Sequence, residues 1–133
     1  MIAADSSVAV AAFASWHELH ERALDAVERA PLLPAHAALE TYSVLTRLPR
    51  DRVPPAPVLE FLHRRFRRPW LALDGPEVDR LLQELVSIGV AGGATYDAVV
   101  GATARAAEAT LVSCDRRAAT IYERLGVSYE LLV

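Results

Sequence analysis

The chain contains no lysine and no asparagine, and only one cysteine. Each absence removes a class of protein. A P-loop nucleotide-binding protein or a response-regulator receiver needs a lysine at its phosphate site, and none exists here. A lone Cys114 excludes an intrachain disulfide and fits a reducing compartment. The early apolar run, residues 8–14, is far shorter than the ~20 residues of a membrane-spanning helix. Residues 1–5 lack the basic start of a signal peptide. We therefore expect a cytoplasmic protein that does not enter a membrane. Neither a G-x-S-x-G elbow nor a G-x-G-x-x-G loop is present. His17-Glu18-Leu19-His20 places its histidines three apart rather than four, and His36, His63 and Cys114 add no zinc-ligand spacing. A phosphatase of the haloacid-dehalogenase type would carry aspartate where Ser7 stands.

What remains is a chain of 133 residues, 53% hydrophobic, which suits one globular domain over residues 1–133. Its net charge of −3 speaks against nucleic-acid binding until the distribution is read. All 14 basic residues are arginine. Seven of them (Arg47, Arg50, Arg52, Arg64, Arg65, Arg67 and Arg68) face only Asp51 and Glu60 in that stretch. A basic patch beside an acidic remainder is the expected result. The absence of lysine and asparagine together points to a GC-rich genome, so arginine here is partly a compositional choice.

Short apolar runs alternate with helical patterns. Residues 2–4, 32–35, 70–73, 110–113 and 129–132 read as strands. Val78, Leu81, Leu82, Leu85 and Val86 keep the spacing of one apolar helix face, as do Leu19, Ala23, Ala26, Val27 and Ala30. Further helices fit about 36–48, 56–67, 95–107 and 116–125. The alternation predicts an α/β fold with a mostly parallel sheet of about five short strands, covered on both faces. Ligands in such folds bind beyond the carboxyl ends of the strands.

Two acids sit where that rule looks: Asp5 after the first strand and Asp115 after the fourth. Both also suit helix N-caps, and a carboxylate can cap with one oxygen and bind with the other. Glu40 lies among apolar neighbours in its helix, which fits either a narrow solvated face or a lined pocket. Asp97 follows Gly92-Gly93 and suits a helix first turn, while Ala98, Gly101 and Ala104 leave room for a bulky ligand beside it. Together these carboxylates would repel in a low-dielectric cleft, so a fold that gathers them implies a hard divalent cation.

The segments Ile2-Ala3-Ala4-Asp5-Ser6-Ser7-Val8, Leu33-Pro34-Ala35 through Glu40, Ala94-Thr95-Tyr96-Asp97-Ala98 and Leu111-Val112-Ser113-Cys114-Asp115-Arg116-Arg117-Ala118 resemble the PIN-domain nucleases, close to the VapC-type toxins of bacterial toxin–antitoxin pairs. The resemblance covers nearly the whole chain, and order and spacing carry it. It implies a three-layer α/β/α fold and a metal-dependent endoribonuclease leaving a 5′-phosphate and a 3′-hydroxyl. It implies Asp5, Glu40, Asp97 and Asp115 as catalytic acids. Asp5, Asp97 and Asp115 would be ligands of Mg²⁺ or Mn²⁺, with Ser6 and Ser113 as supporting hydroxyls. Where some members carry one more acid, this chain has Arg116 and Arg117, which leaves one metal or two open. Arg64, Arg65, Arg67 and Arg68 are candidates for the RNA phosphates. An antitoxin protein and a second copy of the chain are the expected partners. The rival reading is a PIN-like module that binds RNA or protein without cutting.

Overall fold

The structure is a computed structural model, and it describes all 133 residues. Three strands, β1 (Ile2–Ala4), β2 (Thr110–Ser113) and β3 (Tyr129–Leu131), form a parallel sheet in the order β1-β2-β3. Seven helices surround it: α1 (Ser6–Phe13), α2 (His20–Arg29), α3 (Ala35–Thr46), α4 (Pro55–Arg65), α5 (Gly75–Ile88), α6 (Ala94–Ala106) and α7 (Arg116–Arg124). Ala3 and Ala4, which point to opposite faces, are both fully buried, and so are Leu111 and Val112. Both faces of the sheet are therefore covered, as a parallel sheet requires.

The other two expected strands are reduced to single parallel bridges. Ala3 pairs with Leu32, and Pro34 pairs with Leu71. Five runs thus lie side by side, but only three form ladders. The reason is local: Pro31, Pro34 and Pro69 have no backbone N–H to donate. The surviving bonds, Ala4 N–H to Leu32 at 3.0 Å, Leu71 N–H to Leu33 at 3.0 Å and Ala35 N–H to Leu71 at 2.7 Å, still hold the start of α3 beside β1.

Helix α5 begins with a capping box, in which Asp74 and Glu77 satisfy each other's backbone N–H groups, and ends at Gly89 with φ +72°. Its apolar face is covered over only part of its width. Leu81 and Leu85 are buried, whereas Val78, Leu82 and Val86 are exposed, which corrects the broader face that periodicity suggested. Arg105 of α6 ties the layer together. It reaches Glu84 with both terminal nitrogens, at 3.1 and 2.8 Å, and also donates to the carbonyl of Leu125. Phe13 is packed edge-on against Phe61 rather than offered to solvent, while Trp16 is exposed.

Candidate functional site

Four elements deliver the four acids. Asp5 follows β1 and caps α1, accepting from the N–H of Val8 at 3.2 Å. Asp115 follows β2 and caps α7, its Oδ1 accepting from Arg117 and Ala118 at 2.9 and 3.3 Å. Glu40 comes from the second turn of α3, and Asp97 from the first turn of α6. The register Ala4↔Val112 sets the two strand ends level, so both aspartates emerge at the same edge of the sheet.

Their charges are coupled through Asp97, which feels both Asp115 and Asp5. Burial raises the pKa of Glu40 to about 7, with the charges of Asp97 and Asp5 adding to it. Asp97 is raised by burial, then by Asp115 and Asp5. Asp5 is raised by burial, against the hydrogen bonds it accepts. No three of these carboxylates stand together in an arrangement that would hold one ion. Asp97 and Glu40 are the freer side chains, since neither carboxylate accepts a hydrogen bond; Glu40 has only His36 Nε2 at 3.7 Å. Burial keeps His36 below its usual pKa, so this contact is not an ion pair at neutral pH. The donor set is entirely oxygen, which suits Mg²⁺ or Mn²⁺. Cys114 stands nearby, but burial and then the charge of Asp5 push its thiol up to about 11, which keeps it protonated.

The hydroxyl that reaches Asp5 belongs to Ser7, not Ser6. Ser7 Oγ donates to Asp5 Oδ1 at 2.5 Å and accepts from the N–H of Cys114 at 2.8 Å. Ser113 lies 3.4 Å from Ser7 Oγ and accepts from the N–H of Asp115 at 3.0 Å. Ser6 instead lines a neighbouring groove of about 340 Å³ with His17, Val44 and Cys114. Arg64, Arg65, Arg67 and Arg68 are all exposed and make no ion pair. They lie at and just beyond the end of α4, which packs on the Glu40 helix.

One residue escaped the sequence reading. Tyr122 of α7 is 1% exposed and donates its hydroxyl to Asp5 Oδ2 at 2.9 Å. Burial, then the charge of Asp5, raises its pKa far above the usual tyrosine value, so it remains a donor. Its ring runs past Gly101, where a Cβ would meet Tyr122 Cδ1 at 2.8 Å. The space beside Asp97 that glycine provides is therefore filled by Tyr122, which corrects its reading as room for a ligand. The available signal was the glycine itself, since glycine inside a helix costs ~1 kcal/mol and marks a packing demand.

Two predictions follow from this geometry. Gly101→Ala improves helix propensity yet displaces the Tyr122 ring, so we expect a net loss of about 1–3 kcal/mol in urea unfolding; a stabilised variant would refute the slot. The second concerns pH in the absence of divalent ions. Burial and the neighbouring acids raise Glu40 from its ordinary 4.5 to about 7 in the folded protein, so between those values the native state binds more protons. Its contribution therefore makes the protein less stable as pH rises from about 5 to 8. Glu40→Gln should flatten that part of the urea-midpoint profile, and an unchanged slope would place the shift elsewhere.

The profile of the PIN domain family matches residues 2–124. The chain is 52% identical over 133 residues to Ribonuclease VapC40 of Mycobacterium tuberculosis, covering 99% of each. It is 39% identical over 128 residues to Ribonuclease VapC27 of the same species, covering 95% of this chain and 93% of the relative. A crystal structure of VapBC2 from Rickettsia felis, bound to a DNA fragment from their promoter, superposes with a TM-score of 0.70 at 15% identity over the whole of both chains. A fold shared at that distance and a sequence shared at half its positions agree: the chain belongs to the PIN domain family.

Proposed function

We propose that the protein is an endoribonuclease of the VapC type, the toxin of a type II toxin–antitoxin pair, acting as one domain over residues 1–133. The carrying observation is the acidic cluster: four carboxylates from four separate elements, of which Glu40 and Asp97 are raised in pKa by burial and then by the charges of the other acids. The names of the relatives support the reading of RNA as substrate. The all-oxygen donor set supports Mg²⁺ or Mn²⁺ as the cofactor, held by Asp5, Asp97 and Asp115. Such an ion, when bound, activates water and offsets charge on the phosphate.

The residues divide the remaining work. Asp5 is fixed by Ser7, Val8 and Tyr122, so its oxygens are pre-aimed. Asp115 caps α7 with Oδ1 and keeps Oδ2 for the site. Glu40, titrating at about 7, is suited to accept a proton from the attacking water at neutral pH. Ser113 braces the loop before Asp115. The unpaired Arg64, Arg65, Arg67 and Arg68 supply positive charge for RNA phosphates.

Two uncovered apolar surfaces fit the protein partners, an antitoxin and a second copy of the chain. Leu39, Tyr42 and Leu59 line a groove with Trp70 between α3 and α4. Val78, Leu82 and Val86 form a stripe on α5. No helix is long and apolar enough to cross a membrane. A cytoplasmic location is part of the proposal, supported by the lone cysteine, which fits a reducing compartment.

The decisive test is RNA cleavage by protein freed of any partner. We expect cutting with Mg²⁺ or Mn²⁺, arrest by EDTA, and a loss of at least 100-fold in Asp97→Asn, on the order of what one lost group in a catalytic constellation costs. The Asp97→Asn apo protein should be as stable as wild type or more so, because repulsion is relieved. Silence of the wild type on a broad RNA pool with either metal would leave a binding module instead.

A further inference from the structure

Two aromatic rings stand beside the acidic site, and the chemistry above uses neither. His36 lies one turn before Glu40 on α3, and Tyr96 immediately precedes Asp97 on α6. The rings are stacked, with centroids 5.3 Å apart and planes 3° from parallel. Tyr96 is 55% exposed although one of its faces lies against the imidazole. Its opposite face is therefore open to solvent.

That arrangement has the features of a stacking platform. The ring is held flat by its neighbour, so little rotamer freedom remains to be lost when a third ring is added. His36 is half-buried and uncharged at neutral pH, so the pair presents an apolar surface rather than a cation. Its two rings are carried by helices that also carry Glu40 and Asp97, which fixes the platform relative to the acids. An unpaired base offers a matching planar face whatever its identity, and aromatic side chains are the usual surface for it.

We propose that the His36–Tyr96 stack is a subsite for the substrate strand, on which one unpaired nucleobase next to the cleaved phosphate stacks against the open face of Tyr96. The proposal rests on the reading of RNA as substrate. It assigns the subsite to single-stranded rather than duplex RNA, because a base inside a duplex is stacked on both faces by its neighbours.

The competing role for the stack is an internal pin between α3 and α6, and the experiment separates the two. Binding is measured by fluorescence anisotropy of a labelled single-stranded RNA with Mg²⁺, in an Asp115→Asn background. Asparagine preserves the cap on α7, so the fold is retained. Tyr96→Leu should weaken binding about tenfold, within the range that loss of one stacked base implies, whereas Tyr96→Trp should bind at least as tightly. An abasic residue is then walked along the RNA. At one position it should weaken binding to the Tyr96 protein but not to Tyr96→Leu. Unchanged affinity in Tyr96→Leu, or no position at which protein and RNA changes are coupled, overturns the platform even if the melting temperature falls. The outcome is distinct from failure of the nuclease reading, which shows as an intact RNA pool with the wild-type protein.

Discussion

Asp5 is 3% exposed, and a carboxylate withdrawn from water must recover its hydration from the protein. It does so through Ser7 on Oδ1, Tyr122 on Oδ2 and the N–H of Val8 at the head of α1. Those three donors come from two distant parts of the chain. Ser7 in turn receives the N–H of Cys114, so the loops after β1 and β2 are tied through one hydroxyl. Tyr122 ties α7 to the same point, and its ring demands Gly101 on α6. The burial of one negative charge thus organises the strand ends and two helices around it.

This dependence also explains which parts of the fold were legible in the sequence. The helices were readable because apolar spacing and caps are local properties: α2 to α7 lie within a few residues of the expected positions, while for α1 only its cap, Asp5, was marked. The two outer strands were readable as positions but not as ladders. Their apolar runs were evident, yet Pro31, Pro34 and Pro69 limit each to a single bridge. On α5 the periodicity of Val78, Leu82 and Val86 was real, but nothing within the chain covers that side.

The positions of the acids were legible, because Asp5 and Asp115 stand at strand ends and Asp97 in a helix first turn. Of the side chains around them, Ser113 was legible as well, but Ser7 and Tyr122 were not. Ser6 and Ser7 are adjacent and chemically identical, and only the direction of the chain leaving β1 decides that Ser7 turns toward Asp5. Tyr122 lies 117 positions from Asp5, and no spacing rule connects them. Gly101 was visible as an anomaly within a helix, but the sequence could not say whether a ligand or a side chain fills its space.

The four carboxylates are held with unequal firmness, and that inequality has a chemical use. Asp5 is buried and saturated with donors, so it cannot move. Asp115 is exposed and half-committed to capping α7, which leaves one oxygen directed but accessible. Glu40 and Asp97 are half-buried, lack firm partners and bear the repulsion of the others. A cluster with all four fixed would bear the full repulsion with no means of adjustment, whereas one with all four mobile would lose the pre-aimed oxygen that makes binding selective. With one anchor and two movable acids, the repulsion instead falls on the side chains that can still turn. His36 of the neighbouring stack lies 3.7 Å from Glu40, and Tyr96 precedes Asp97 in the chain, so a base seated there would act on the part of the site that has yet to settle.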